Sequence, residues 1–68
     1  MMSKLAEKLL SDAAAIQRSF NAGLLRGREQ TVKDEIDKKL KALVLVTNRS
    51  YDDLAREVLR RAEVENDG

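Results

Sequence analysis

The sequence contains no cysteine, histidine, proline or tryptophan, and Phe20 and Tyr51 are its only aromatic residues. Without cysteine and histidine the chain has no thiolate nucleophile, no imidazole base, no disulfide and no zinc site of the usual kind. Because aromatic side chains are so scarce, the hydrophobic core must be built from aliphatic residues. We therefore expect a protein that is not an enzyme and that binds no cofactor or metal.

Long apolar runs are absent as well. The longest is five residues, Ala42 to Val46, far below the roughly 20 residues that a membrane-spanning helix needs. Lys4, Glu7 and Lys8 interrupt the segment in which a secretory signal would need its apolar stretch. We expect a cytoplasmic protein without membrane contact, and the lack of cysteine is compatible with a reducing compartment.

Neither sign of charge is in large excess, because 13 basic residues face 12 acidic ones and the net charge is +1. Three of the acids, Glu63, Glu65 and Asp67, lie at the end of the sequence. Residues 1–62 therefore hold 13 bases against 9 acids and carry +4. This mildly basic character permits binding to nucleic acid without requiring it.

A chain of 68 residues allows one small domain with a small core. Such a core stabilises an isolated chain poorly, so we expect a homodimer or a higher homo-oligomer. The sequence divides into an N-terminal helix extension at 1–23, a helix–loop–helix core at 31–62 and a frayed acidic tail at 63–68.

The first predicted helix spans residues 3–22. Its apolar residues recur every three or four positions and so share one face of a helix. They are Met2, Leu5, Leu9, Ala13, Ile16 and Phe20. Gly23 follows, where a helix commonly ends in a left-handed residue. We expect this face to pack in the core, because the polar face mixes acids with bases, unlike a helix that lies on a membrane surface.

The second predicted helix spans residues 32–47 and begins after Thr31, which forms a capping-box-like start with Asp34. Its apolar face is formed by Val32, Ile36, Leu40, Leu43 and Val44. Three acid-before-base pairs four residues apart support the helix; they are Asp34–Lys38, Glu35–Lys39 and Asp37–Lys41. Residues 42–46 alone also suit a buried strand, but the pairs and the upstream periodicity favour a helix.

The third predicted helix spans residues 51–64. Asn48 tolerates the left-handed conformation that ends a helix, and Ser50 with Asp53 forms a second capping box. The apolar face is the most regular in the chain and is formed by Tyr51, Leu54, Ala55, Val58, Leu59 and Ala62. The side chains expected in the core of an oligomer are Leu5, Leu9, Ile16, Phe20, Ile36, Leu40, Leu43, Leu54, Val58 and Leu59.

Two pairs of neighbouring carboxylates, Asp34–Glu35 and Asp52–Asp53, are candidates for acid–base chemistry. Both pairs fall in the first turn of a predicted helix, where carboxylates stabilise the positive end of the helix dipole. Gly23 and Gly27 are isolated and lack the spacing of a phosphate-binding loop. The motifs therefore indicate a binding protein and not a catalyst.

Residues 31–62, TVKDEIDKKLKALVLVTNRSYDDLAREVLRRA, resemble the helix–loop–helix half of ribbon-helix-helix DNA-binding proteins. The turn Asn48-Arg49-Ser50 and the apolar pattern of the third helix carry the resemblance, which covers 32 of 68 residues. In that family two chains interlock, and their N-terminal strands pair as a ribbon that enters the DNA major groove. The resemblance implies a predominantly α, intertwined dimer with a short strand at 25–31.

The resemblance also implies contacts with double-stranded DNA. Arg26, Arg28 and Gln30 would read or position bases from the ribbon. Arg49 and Ser50 would contact a phosphate at the start of the third helix. The protein would then be a small repressor, a plasmid or phage regulator or an antitoxin that acts by occupying operator DNA. The N-terminal helix would join dimers or capture a protein partner.

The alternative is an all-α bundle of three helices or helical hairpins that binds other proteins. Such a non-enzymatic interaction module would act as a homo-oligomeric bundle, an adaptor or a phage-encoded inhibitor. It is supported by the fact that every strong local signal in the sequence is helical. RNA binding is a weaker candidate, because base-stacking aromatic residues are scarce. The backbone of residues 25–31 separates the first two hypotheses, since a strand indicates the ribbon and a helical turn indicates the bundle.

Overall fold

Three α-helices make up the part of the chain that a computed structural model describes, residues 3–66, with side chains described for residues 3–63. They are α1 (Lys4–Asn21), α2 (Glu29–Thr47) and α3 (Tyr51–Asn66). The prediction of a predominantly α protein is confirmed, and α2 is helical through residues 42–46. Between residues 3 and 66, no helix combines the length and the apolar character that crossing a bilayer requires.

The strand predicted at 25–31 is wrong, and the described residues contain no strand. Residues 22–27 form turns. Gly27 has a φ of +79°, a left-handed conformation that is incompatible with an extended strand. A strand here would lack a buried face, because neither set of alternating side chains between Leu25 and Gln30 is apolar. The segment is therefore a connection between two helices, which we call the α1–α2 turn (residues 22–28).

Helix α2 begins at Glu29, three residues earlier than predicted, so the capping role expected for Thr31 is wrong. Thr31 lies inside the first turns of the helix. The carboxylate of Asp34 accepts a hydrogen bond from the side-chain amide of Gln30 at 3.0 Å. This bond joins residues four apart on one helix face and supports the earlier start.

Both ends of α1 are fixed by local hydrogen bonds. The N–H of Ala6 donates to the hydroxyl of Ser3 at 3.1 Å, which satisfies one of the free amides of the first turn. At the other end Gly23 has a φ of +80°, and its N–H donates to the carbonyl of Phe20, while the N–H of Leu24 donates to the carbonyl of Ser19. These two bonds form a Schellman motif, and the helix end predicted at Gly23 is confirmed.

The turn between α2 and α3 has the predicted conformation. Asn48 lies in the left-handed region with φ 60°, and its N–H donates to the carbonyl of Val44 at 3.0 Å. The hydroxyl of Ser50 accepts a hydrogen bond from the N–H of Asp53 at 3.2 Å. A left-handed stop followed at once by a new helix cap makes this connection only three residues long.

We expect Asn48→Ala to lower the free energy of unfolding by about 1–2 kcal/mol, because the Cβ atom of alanine clashes with the backbone in the left-handed region. Asn48→Gly should retain most of the stability, since glycine adopts this conformation readily. Urea denaturation followed by circular dichroism checks both variants. Equal stability of the two would contradict a role for the left-handed conformation.

Helix α1 lies at the centre of the packing and contacts both other helices more extensively than they contact each other. The buried apolar side chains are Ala6, Leu10, Ala13, Ala14, Val32, Leu40, Leu43, Leu54, Val58 and Ala62. Four of these ten are alanines, and three of the four lie on α1. Small side chains on the central helix let the neighbouring helices approach its backbone closely, but they give the core little volume.

The buried face of α1 is rotated from the predicted one. Ala6 and Leu10 are fully buried, whereas Leu5 is 57% exposed. Leu9, Ile16 and Phe20 are half-buried, and Met2 lies outside the described residues. A shift of one position turns a helix by about 100°, so the predicted stripe lies along the flank of the buried face. Alanines carry a weak hydrophobic signal, which explains why the leucine stripe dominated the prediction.

The apolar faces of α2 and α3 are closer to the prediction. Leu40, Leu43, Leu54 and Val58 are buried, and Ile36 packs against them as a half-buried side chain. Leu59 is 47% exposed, because it lies one position around the helix from Val58, beyond the buried sector. Leu59 therefore does not belong to the core of the single chain.

Two side-chain contacts define the course of α3. The hydroxyl of Tyr51, at its start, donates a hydrogen bond to Asp37 in the middle of α2. Ten residues later, Arg61 Nη1 lies 2.7 Å from Glu7 Oε1 in the first turn of α1. Helix α3 thus runs from the middle of α2 to the beginning of α1. It leaves the opposite end of the α1–α2 pair, next to the α1–α2 turn, without a third helix.

Candidate functional site

A groove of about 490 Å³ occupies the end of the α1–α2 pair that α3 leaves uncovered. Its volume lies within the range of sites that bind small molecules or side chains of a partner. All three helices contribute to its wall, which is lined by Gln17, Phe20, Glu29, Val32, Lys33, Asp34, Ile36, Asp37 and Tyr51. We call this site the groove.

The apolar side chains of the groove come from separate helices. Phe20 belongs to the last turn of α1, Val32 and Ile36 are one turn apart on α2, and Tyr51 opens α3. Both aromatic residues of the protein therefore lie in this one site. Phe20 is half-buried and Tyr51 is 39% exposed, so both rings keep surface available to a partner.

The charged side chains of the groove are mostly acidic. Three carboxylates, those of Glu29, Asp34 and Asp37, line it together with a single base, Lys33. These groups sum to a charge of −2 in a chain whose total charge is +1. Glu29 and Asp34 are exposed, so their charge reaches solvent beside an apolar surface. The groove therefore favours a ligand that is apolar and positively charged.

Asp37, at the α3 end of the groove, contacts both Tyr51 of α3 and Lys41 of α2. It accepts a hydrogen bond from the Tyr51 hydroxyl and lies 3.0 Å from the ammonium group of Lys41. The bond from Tyr51, followed by that from Lys41, holds the pKa of Asp37 below its usual range. The same carboxylate raises the pKa of Tyr51 above that of a free tyrosine. Asp37–Lys41 is also one of the three acid–base pairs predicted on α2.

The raised pKa moves the Tyr51 hydroxyl further from ionisation than an ordinary tyrosine. At neutral pH the phenol keeps its proton, so it serves as a hydrogen-bond donor and not as a nucleophile. Because the pKa of Tyr51 is raised, the stabilisation from this bond is present below the usual tyrosine pKa and is lost as the pH rises through the raised value. Because the pKa of Asp37 is lowered, the bond also weakens as the pH falls through that lower value.

We expect Asp37→Asn to lower the pKa of Tyr51 towards that of a free tyrosine. The change removes the negative charge that disfavours the phenolate, while an amide oxygen still accepts the hydrogen bond. Ultraviolet absorbance of the phenolate measures this titration without interference, because Tyr51 is the only tyrosine and the chain has no tryptophan. Asp52→Asn should lower the Tyr51 pKa less, because the Asp52 carboxylate acts on Tyr51 through its charge alone. An unchanged Tyr51 pKa in Asp37→Asn would contradict the assignment.

The predicted DNA-contact residues near the α1–α2 turn are not arranged as a ribbon. Arg26 and Arg28 are exposed in the turn, and Gln30 lies in the first turn of α2 with its amide bound to Asp34. They are brought close to the groove, since Glu29 follows Arg28 directly. Their proximity to the groove carboxylates places opposite charges side by side on one surface.

The predicted phosphate contacts, Arg49 and Ser50, lie at the start of α3. The Ser50 hydroxyl already accepts the N–H of Asp53, and the N–H of half-buried Arg49 donates to the hydroxyl of Thr47 at 3.2 Å. Asp52 and Asp53 are exposed in the first turn of α3. Two carboxylates at this position repel a phosphate by their charge, which opposes the attraction of the helix dipole.

Sequence reasoning placed Phe20 and Ile36 in an oligomer core, and the structure brings both into the groove. The sequence did not indicate that Tyr51 and the carboxylates of α2 would line the same groove as Phe20 and Ile36. The only signal in the sequence was the presence of an aromatic residue near the end of one helix and another at the start of a later one. Among the side chains of residues 3–63, no group of three acidic residues is placed to hold a metal ion.

The α1–α2 turn and the groove together are thus the most distinctive surface of the described chain, apolar in part and divided between basic and acidic halves. No protein-family model, curated protein or solved structure matches this chain.

Proposed function

We propose that the protein is a non-enzymatic interaction module that binds an apolar, basic segment of a protein chain in the groove. The observation that supports this most directly is the combination of half-covered Phe20 and Tyr51 rings with three carboxylates around them. A partner gains apolar burial from the rings and charge complementarity from the carboxylates. No chemical step is required of the site.

The size of the protein's own core is consistent with this role. Among residues 3–63, ten apolar side chains are buried and four of them are alanine, which gives a domain of this size modest stability. A partner that binds only the folded form adds its binding energy to that stability. The interaction therefore stabilises the fold as well as providing its function.

Binding of a model peptide tests the proposal. A synthetic amphipathic helix of leucine and lysine should change the fluorescence of Tyr51 and raise the melting temperature. A leucine–glutamate peptide of the same pattern should do neither, because the groove repels it. Both peptides lack tyrosine, so the signal comes from the groove alone. Equal responses to the two peptides would rule out the charge preference.

Matched variants locate the binding site. Asp34→Lys changes the charge inside the groove, and Asp12→Lys makes the same change at an exposed position of α1 outside it. We expect Asp34→Lys to weaken binding of the leucine–lysine peptide about tenfold or more, as the loss of one favourable charge contact and the gain of one repulsion imply. Asp12→Lys should bind nearly as wild type. Similar losses in both variants would place the peptide elsewhere.

Operator DNA is the second candidate function, favoured by the exposure of Arg26 and Arg28 on one turn. Without the ribbon, such binding would rest on phosphate contacts and would fall steeply with added salt. A labelled DNA duplex in about 50 mM salt, followed by fluorescence anisotropy, tests it. Binding that disappears in the Arg26→Ala, Arg28→Ala double variant would favour DNA, and its absence in wild type would eliminate that candidate.

A further inference from the structure

Leu24 is an unusually exposed apolar residue in the middle of a basic turn. It is 75% exposed, although an apolar residue at this position of a Schellman motif commonly packs against the last turn of its own helix. Arg26 and Arg28 follow it, and the α1–α2 turn contains no acid. The turn therefore has the chemistry that the groove favours, an apolar side chain accompanied by positive charge.

We propose that two copies of the chain form a symmetric dimer in which the α1–α2 turn of each copy fills the groove of the other. This inference rests on the proposed function of the groove and names its occupant as a second copy of this chain. Leu24 would cover the apolar surface formed by Phe20 and Ile36. Arg26 and Arg28 would face the partner's carboxylates.

The position of the two surfaces suits twofold symmetry. The groove begins at Glu29, the residue that follows the turn, so turn and groove are neighbours on one side of the molecule. A twofold axis near their boundary places each turn opposite the other copy's groove, which makes the interface self-complementary. Each dimer then contains two identical turn–groove contacts. Because both grooves are filled, no third chain can be added through a groove.

Charge complementarity supports the same arrangement. The turn carries two arginines and the groove carries a charge of −2, so each contact is close to neutral. Guanidinium groups bind carboxylates in a planar, two-bond geometry that favours arginine over lysine at interfaces. Leu45, which is 83% exposed, lies near the end of α2 and does not line the groove. It provides a matched control.

Sedimentation equilibrium of the full chain over a wide concentration range tests the dimer. Wild type should show a monomer–dimer equilibrium, and Leu24→Asp should raise the dimer dissociation constant about tenfold or more, as expected for an apolar anchor placed in a pocket. Leu45→Asp should leave the constant unchanged. A wild type that stays monomeric throughout, or equal effects of the two variants, would overturn the proposal.

A charge-exchange experiment tests the pairing of turn with groove. One variant combines Arg26→Glu with Arg28→Glu, and the other combines Glu29→Lys with Asp34→Lys. Each variant alone should be monomeric, because its turn and groove carry the same sign. Mixed in equal amounts, they should form a heterodimer in which both turn–groove contacts are complementary. Circular dichroism confirms that both variants are folded, and failure of the mixture to associate would overturn the turn–groove pairing.

The two proposals fail in different ways. If the wild type stays monomeric while the leucine–lysine peptide still changes Tyr51 fluorescence, the groove binds another chain and the dimer is wrong. If dimers form and withstand Leu24→Asp and both charge variants, self-association uses a different surface and the dimer proposed here is also wrong. If Leu24→Asp dissociates the dimer and opens the groove to the peptide, both proposals are supported.

Discussion

Leu43→Ala should lower the free energy of unfolding by about 2–5 kcal/mol, the range found when a buried leucine leaves a cavity. Leu43 is fully buried in a cluster that includes Leu10 of α1 and Leu54 of α3, so its side chain contributes to packing between all three helices. Domains of this length typically have a total stability of about 3–10 kcal/mol. The loss is therefore a large fraction of the total stability, and the variant should unfold at a much lower denaturant concentration than wild type.

Leu45→Ala is the matched control, because it removes the same atoms two residues away on the same helix. Leu45 is exposed, and we expect a change within about 0.5 kcal/mol, as for most surface substitutions. Leu59→Ala should fall between the two, since its side chain is nearly half exposed. Chemical denaturation followed by circular dichroism orders the three variants. If Leu43→Ala and Leu45→Ala are equally stable, the orientation of α2 is wrong.

Ala13→Leu should also lower the free energy of unfolding, by about 1–3 kcal/mol, through overpacking. Ala13 is fully buried and contacts the core cluster from the central helix α1. A larger side chain there would force α1 away from its neighbours or into an unfavourable rotamer. The expected loss is notable because leucine and alanine are both good helix formers, so helix propensity alone predicts little change.

Ala15→Leu provides the comparison on the same helix, because Ala15 is exposed two residues away from Ala13. It adds the same atoms to the surface, and we expect its melting temperature to stay near that of wild type. Thermal unfolding of the two variants measures the difference. A lower melting temperature for Ala15→Leu than for Ala13→Leu would show that the other side of α1 faces the core.

Several local features of the fold were predictable from the sequence, although the start of α2 at Glu29 was not. Gly23 and Asn48 end helices, and Ser50 begins one, because each does so through its own side chain or its own backbone freedom. The buried positions of α3, such as Leu54 and Val58, were also predictable from a regular apolar period. These signals depend on neighbours in the sequence and so need no knowledge of the tertiary structure.

The features that depend on distant contacts were not predictable in the same way. The leucine stripe of α1 outweighed Ala6 and Ala14 in the pattern, yet the alanines are buried, because contact with two helices selects which side of α1 faces inward. The strand expected at 25–31 came from a likeness in the following helices, and the turn itself lacked an apolar face. The groove depends on the course of α3, which brings Tyr51 beside Phe20 and Asp37.

The contact between Glu7 and Arg61 has a consequence for the order of folding. It joins residues 54 positions apart, whereas α1 and α2 meet through a short turn. Contacts between distant residues close a larger loop and cost more chain entropy before they are made. We therefore expect the α1–α2 pair to form first and α3 to pack on it afterwards. When the native protein opens locally, the end of α3 that holds Arg61 should be the first part to detach from α1.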